Sequence, residues 1–394
     1  MSPHGTPAPV SAASRAWIER LVAFPTVSKE SNLGLIEHVR DYLAGLGVAA
    51  RLVHDESGRK ANLYATLGPE GRGGIMLSGH TDVVPVEGQD WTSDPFRVVE
   101  RAGRLYGRGT SDMKSFIAVL LAAVPGLLRR DLKTPIHLAL SYDEEVGCIG
   151  VRRLIALLET MEAKPRFCIV GEPTLFQAVR GHKGKLSCRC TVRGLESHSA
   201  LTHKGVNAVE CAAELVAYLA RMGRGFRERG PYDDGFDPPY TTVQTGVIHG
   251  GTQVNIVPRE CRFDFEFRPL PGQDPKDLLA EVQAYAEQAL LPGMRAVASE
   301  AGVSWDTISE FPGLDTDEEA EVTRLVKRLT GANATGKVSY GTEGGLFARA
   351  RIPTVVCGPG SIEQAHKADE WVALEQVARC ETFIERVGDW AESG

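Results

Sequence analysis

Ile136-His137-Leu138-Ala139-Leu140-Ser141-Tyr142-Asp143-Glu144-Glu145-Val146-Gly147 is the stretch on which the reading of the fold turns. Its first part, 136–140, is a short apolar run bounded by turn residues, too short for a helix, and reads as a buried strand. Three consecutive carboxylates follow. At that density they repel one another unless cations neutralise them; a first-turn cluster favoured by a helix dipole is the alternative. Residues 75–77 and 167–170 are apolar runs of the same kind. Between these runs the pattern is helical. One helix is expected over 114–124, where Pro125 should end or kink it. Another carries Val151, Leu154, Ile155 and Leu158 on one face. Upstream, Ser31 can cap a helix ending near Leu46, with Gly47 placed to stop it. Strands alternating with helices predict an α/β fold with a mainly parallel sheet and helices on both faces.

From about residue 183 the pattern changes. Leu186, Cys188, Cys190 and Val192 alternate with Lys185, Ser187, Arg189 and Thr191, which predicts a half-buried strand. Val209, Ala212, Leu215, Val216 and Leu219 then recur at helical spacing. Residues 242–248 are strand-like, and Phe263, Phe265 and Phe267 alternate with Arg262, Asp264, Glu266 and Arg268. Asp274-Pro275 is an N-cap and first-turn pair for a helix through Leu290, and 294–303 can supply a last strand. The order βαββαβ is ferredoxin-like. Its open sheet leaves an edge with which a second copy could pair. Beyond residue 304 the earlier style returns: Asp317 caps a helix holding Val322, Leu325, Val326 and Leu329, residues 353–357 form a strand, and a final helix carries Val377, Phe383, Ile384 and Val387. Residues 1–182 and 304–394 are therefore expected to form one domain, interrupted by an insert at 183–303.

A chain of 394 residues accommodates two such domains. A net charge of −7 with Lys and Arg scattered along the chain leaves no footprint for nucleic acid or an anionic membrane. No run approaches the roughly 18 apolar residues of a membrane span, and the N-terminus lacks a signal-peptide pattern. The eight cysteines mostly sit in apolar runs. Cys188 and Cys190 share a strand face with no second pair at zinc-finger spacing, which favours packing. Reduced thiols and no export signal predict a cytoplasmic protein.

Five places put His or acidic residues at strand ends or helix starts, where α/β sheets collect ligands. They are Leu77-Ser78-Gly79-His80-Thr81-Asp82, Gly107-Arg108-Gly109-Thr110-Ser111-Asp112, the 141–147 segment with Glu144 and Glu145, Val170-Gly171-Glu172-Pro173-Thr174, and Gln364-Ala365-His366-Lys367-Ala368-Asp369-Glu370. Taken singly, each has a plain structural alternative: a His-Asp turn pair, an N-cap at Asp112, exposed loop residues at Glu172 and His366. Together, two histidines and several carboxylates make a hard site suited to Zn²⁺, Co²⁺ or Mn²⁺. Two ions roughly 3.5–4 Å apart can share a carboxylate, polarise a carbonyl and activate a water. A spare carboxylate can then move the proton to a departing amine. No nucleophile elbow, phosphate loop or dinucleotide fingerprint competes.

These five segments, in this order, resemble the aminoacylase/carboxypeptidase family of two-zinc hydrolases over nearly the whole chain. The resemblance implies a two-zinc exopeptidase-like fold, two zinc ions for which cobalt or manganese could substitute, and hydrolysis of a linear amide. His80 and Glu172 would bind one ion, Glu145 and His366 the other, and Asp112 both. Glu144 would be the general acid/base and Asp82 would orient His80. A cis peptide is implied between Asp112 and Met113. The insert would be a dimerisation domain, making a homodimer, and His198 in Leu195-Glu196-Ser197-His198-Ser199-Ala200 would serve a neighbouring active site as oxyanion donor. Asn255 and Arg268 match substrate-contacting positions; on their own they read as a turn residue and an exposed strand residue, and His198 as a loop histidine. Within the family, Gly171-Glu172-Pro173-Thr174, Ile248-His249-Gly250-Gly251 and Gly358-Pro359-Gly360-Ser361-Ile362 resemble the branch that deacetylates N-acetylornithine. Thr342-Glu343 resembles that branch's substrate loop, where a carboxylate could meet a side-chain amine, although Gly344-Gly345 departs from it. The implied partner is thus a small N-acyl amino acid, with succinyl-diaminopimelate, another N-acyl amino acid or a dipeptide as alternatives and an inactive metal-binding scaffold as the non-enzymatic one.

Overall fold

The computed structural model describes residues 9–394. They form two compact units. The first runs to Gly181 and resumes over Leu314–Gly336 and Thr342–Gly394; the second comprises His182–Gly313 and Lys337–Gly341.

The first unit is built on a sheet that, among the described residues, has nine strands. Along the sheet they are ordered Ala50–His54, Ala61–Leu67, Ile136–Ser141, Ile75–His80, Phe167–Val170, Thr354–Val356, Ala178–His182 and Leu314–Asp315, with Thr335–Val338 also paired to Ala178–His182. The central four strands are mutually parallel, in register His80 with Ser141, Ser78 with Val170 and Val356 with Val170. The outer pairs are antiparallel. The sheet is thus parallel only through its centre, a narrower result than the mainly parallel sheet expected. One reason is local: the short 55–60 link can join only antiparallel neighbours, whereas a parallel pair needs a crossover of a dozen or so residues.

The parallel register fixes the function-bearing edge. His80, Ser141, Val170 and Val356 end side by side, so the residues just after them emerge together. Alternate strand residues (Leu63, Ala65, Ile75, Leu77, Leu138, Leu140, Ile169) share one core with helices Ala12–Val22, Leu33–Gly45, Lys114–Leu127, Glu321–Thr330 and Leu374–Ser393. Val151–Glu159 packs instead with Ala50–His54, Ala61–Leu67 and the short helix Gly344–Arg349. Both faces are covered, as a buried parallel centre requires. Two helix ends differ from expectation. Asn32, not Ser31, occupies the N-cap position. Its side chain is spent on Ala61 at 2.9 and 3.0 Å, while the Ser31 hydroxyl accepts from Leu33 N at 3.3 Å. The helix beginning at Lys114 continues past Pro125 to Leu127.

In the second unit a four-stranded antiparallel sheet runs Thr242–Gly250, Glu260–Arg268, Lys185–Arg193, Gly302–Phe311. Cys188, Cys190 and Val192 and the three Phe side chains pack under helices Ala208–Arg229 and Pro275–Tyr285. Asp274 caps the latter by accepting from Lys276 N at 2.9 Å. The expected last strand over 294–303 is a misreading. Leu291–Val297 is a helix with Pro292 in its first turn, where a missing N–H is harmless, and Met294 is buried on its inner side. The strand is Gly302–Phe311, so the sheet extends past the expected limit of 303. Thr242–Gly250 is an edge strand with Val247 and Ile248 exposed. Among the described residues no helix is long and apolar enough to cross a membrane, and the eight cysteines are free.

His137 stacks on Tyr64 with ring centroids 5.5 Å apart, its Nδ1 3.0 Å from Thr66 Oγ1. Burial pushes its pKa down from 6.5 to about 4. Between those values the unfolded chain binds a proton that the folded chain refuses, so stability falls as pH drops. The melting temperature of the wild type should therefore fall more between pH 7 and pH 5 than that of His137→Gln. Parallel curves for the two would refute the assignment.

Candidate metal centre

His80, Glu145, Glu172 and His366 lie at or after the aligned strand ends, and Asp112 lies just before the helix that begins at Lys114. His80 closes its strand and is almost fully buried. Its Nε2 lies 3.0 Å from Asp112 Oδ1 and 3.7 Å from Glu172 Oε1. His366 Nε2 lies 3.3 Å from Asp112 Oδ2 and 3.0 Å from Glu145 Oε2. Two donor triads result, His80/Asp112/Glu172 and Asp112/Glu145/His366, each with its donor atoms within 4.8 Å of one another. Asp112 belongs to both and turns one oxygen to each. The Asp112–Met113 peptide is cis. Gly171, just before Glu172, has no room for a side chain: a Cβ there would sit 2.1 Å from the Phe116 ring.

The electrostatics favour cations. Burial and the negative charge of Asp112 raise Glu172 well above the ordinary carboxylate range, and the same two causes bring Glu145 to about 7. Glu144 is likewise raised, by burial first and then by Glu145 and Glu343 against the opposing pull of His80. Burial works against a charge on Asp112 too, but His366 and His80 outweigh it and hold Asp112 low. Hydrogen bonds to Asp112 and Glu145 lift His366 to about 10. Carboxylates crowded and buried in this way call for neutralisation, which divalent ions supply. The donors are nitrogen and oxygen only, with no thiolate among them, a set that fits Zn²⁺, Co²⁺ or Mn²⁺.

Asp82 lies beside His80 and also holds backbone. The imidazole Nδ1 is 2.9 Å from the main-chain carbonyl of Asp82 and 3.6 Å from its carboxylate. That carboxylate accepts from Glu144 N at 3.1 Å, Glu145 N at 3.3 Å and the Ser28 hydroxyl at 2.7 Å. It fixes the backbone that presents both Glu144 and Glu145. Of the three consecutive carboxylates, Asp143 turns away, held by Lys60 Nζ at 2.5 Å and Lys29 N at 2.7 Å. The Cys148 thiol donates to Glu144 Oε1 at 3.3 Å. Neither the Asp143 pairing nor the Cys148 contact has a local sequence signal.

The remaining expected residues divide by unit. Thr342 and Glu343 belong to the first and are both 1% exposed. Thr342 Oγ1 accepts from Gly344 N at 3.0 Å. Burial raises Glu343 to about 7 despite the nearby hydroxyls of Ser141 and Ser78, and neither carboxylate oxygen has a hydrogen bond of good geometry. A carboxyl so enclosed is not open to a substrate amine in this conformation. His198, Asn255 and Arg268 lie in the second unit. His198 and Asn255 are brought together, since Ser199 N donates to Asn255 O at 3.1 Å and His198 bridges Ile256. His198 Nδ1 accepts from Ala200 N at 3.1 Å, leaving Nε2 as the protonated, donating nitrogen of the neutral ring. Arg268 is paired with Glu266 at 3.1 and 3.4 Å.

An α/β sheet with this donor set at its strand ends defines a metal-dependent hydrolase of amide bonds, and the chain belongs to peptidase family M20/M25/M40, whose profile matches residues 76–388. It is 37% identical to the acetylornithine deacetylase of Myxococcus xanthus over 95% of this chain and 96% of that protein. It is also 37% identical to the acetylornithine deacetylase of Proteus mirabilis over 90% of each. Among solved structures, an M20 family metallo-carboxypeptidase from Sulfolobus solfataricus superposes with a TM-score of 0.75 at 18% identity, covering 98% of this chain and all of that one. An aminopeptidase from Bacillus cereus gives 0.70 at 19%, with the same coverage. These two likenesses concern the fold alone.

Proposed function

We propose that the protein hydrolyses N-acetyl-L-ornithine to L-ornithine and acetate, a step of arginine biosynthesis, in the cytoplasm. The observation that carries this reading is the near full-length identity to proteins of that activity, joined to a donor set in which one carboxylate faces two histidines. His80, Asp112 and Glu172 would hold one divalent ion and Asp112, Glu145 and His366 a second, most suitably zinc. When bound, the pair supplies Lewis acidity to the amide carbonyl and to a water. Glu144 takes the proton of the attacking water and returns it to the departing amine, a role that suits a buried carboxylate of raised pKa. Asp82 keeps Glu144 and Glu145 in place through their backbone N–H groups.

In the second unit, the free Nε2–H of His198 suits donation to the tetrahedral oxyanion, and Asn255 is carried beside it. Arg268 is assigned to the substrate carboxylate, which its planar fork can grip in exchange for Glu266. Thr342 and Glu343 would bear on the side-chain amine only after a local rearrangement that opens them. The exposed edge Thr242–Gly250 supports pairing with a second copy, so that His198 serves the neighbouring subunit.

Initial rates on N-acetylornithine, N-succinyl-diaminopimelate, N-acetylmethionine and a dipeptide, with metal content measured on the same sample, test the substrate. N-acetylornithine should give the highest kcat/KM; a clear preference for any other overturns the choice. Asp112→Ala should lose both ions, whereas Glu144→Ala should keep two per chain yet lose turnover by at least about 10²-fold. Full metal content in Asp112→Ala would contradict its shared position. His198→Ala should lower kcat by about 10²–10³-fold. Mixing it with Glu144→Ala should restore roughly a quarter of wild-type activity, because a mixed two-fold dimer holds one intact site. Activity no greater than the sum of the two variants would exclude the cross-subunit arrangement.

A further inference from the structure

Glu370 lies four positions after His366 and is 1% exposed, as is Arg108 beside it. One of its carboxylate oxygens accepts from Ser111 N at 2.8 Å and Asp112 N at 3.0 Å. The other accepts from Gly109 N at 3.1 Å and Arg108 Nη1 at 2.8 Å. Its own carbonyl accepts from Gly107 N at 2.9 Å. A single residue therefore holds four backbone N–H groups between Gly107 and Asp112, three of them through its side chain, ending on the residue that both donor triads share.

The other end of the same connection is His366. Arg108 Nη2 donates to Gln89 Oε1 at 2.5 Å, and Gln89 Nε2 donates to His366 O at 3.0 Å. Asp369 Oδ1 accepts from Thr92 N and Thr92 Oγ1, both at 3.0 Å. His366 and Asp369 both hold left-handed backbone, with φ of 62° and 54°. Such conformations cost free energy in non-glycine residues and persist only where surrounding bonds enforce them. A carboxylate with four N–H donors at good distances is strongly anchored, and removal of any such partner leaves buried groups unsatisfied.

We propose that Glu370 is a positioning residue that locks Asp112 and His366 at a common spacing, so that its loss selectively weakens the ion held by Asp112, Glu145 and His366. His80 and Glu172 reach their places on separate strands and make none of these bonds, so of the first triad only Asp112 is tied to Glu370, against Asp112 and His366 of the second, and the ion at His80 and Glu172 should be less affected. The inference rests on the proposed roles of Asp112 and His366 as ligands. Glu370→Gln keeps the shape but sets an NH₂ group against N–H donors.

The test is titration of the metal-free full-length protein with Co²⁺, followed by calorimetry and visible absorption, with melting temperature recorded in parallel. Wild type should bind two equivalents. Glu370→Gln should weaken one of them by about 10–100-fold, the range typical of outer partners of metal ligands, with a changed cobalt absorption band. Gln89→Ala, at a partly exposed position, should weaken the same equivalent less, and it serves if Glu370→Gln does not fold. Leu329→Ala, a core change remote from the network, should lower the melting temperature and leave both affinities unchanged. The proposal is overturned if the Glu370 and Gln89 variants bind both equivalents within twofold of wild type, or if Leu329→Ala weakens binding equally. If wild type binds no cobalt, or His366→Ala binds as wild type does, the ligand reading itself falls, a result separate from failure of the Glu370 variants alone.

Discussion

Carboxylates crowded beside the parallel centre of one sheet repel one another, and the first unit is organised around relieving that repulsion. Three devices are visible. Asp143 leaves the cluster for Lys60 and a backbone N–H. Asp82 and Glu370 spend their charge on rows of backbone N–H groups, which stabilise an anion without adding a titratable partner. What remains, Asp112, Glu145, Glu172 and Glu144 around two imidazoles, is too much negative charge for so buried a place. Divalent ions are the remaining remedy, and the donor geometry divides naturally into two positions with Asp112 between them.

The parallel centre of the sheet and most of the segments that converge in the two donor triads are legible because each is a local pattern: an apolar run, then a turn, then a His or an acid. The alternation of Phe263, Phe265 and Phe267 likewise exposed the inserted sheet. The 294–303 error has the same origin in reverse. Over so few residues, a helix with one buried side and a half-buried strand present similar strings, and Pro292, which marks a first helical turn, was the signal to weigh. The sequence likens Thr342-Glu343 to a substrate loop, and nothing local announces that the Glu343 carboxyl is enclosed near Ser78 and Ser141. The work of Asp82 and Glu370 was invisible for a related reason. A side chain that holds backbone N–H groups far away in sequence leaves no periodicity, and its partners can be of any residue type.

The insert follows another logic. Its antiparallel sheet needs only one covered face, so its strands alternate cleanly where those of the first unit do not. In that sheet Thr242–Gly250 is an edge strand with Val247 and Ile248 exposed. His198 sits in the same unit, with one ring nitrogen already committed to Ala200 N. The committed nitrogen fixes the tautomer of the neutral ring.

Solved structures at 18–19% identity share the backbone and carry the names of a carboxypeptidase and an aminopeptidase. A fold that serves both ends of a peptide does not encode the substrate, which must be read by side chains outside the donor triads. In this chain Arg268 is engaged with Glu266 and Glu343 is enclosed, so neither offers a finished subsite as it stands. On the proposed assignment, recognition would break the first pairing and open the second position, and both steps would draw on substrate binding energy. A ligand bearing both a carboxylate and a cationic amine can supply both, whereas one lacking either leaves a charge or a buried carboxyl uncompensated. On that assignment, selectivity for an amino-acid-like substrate would follow from the cost of rearranging groups already satisfied or already buried.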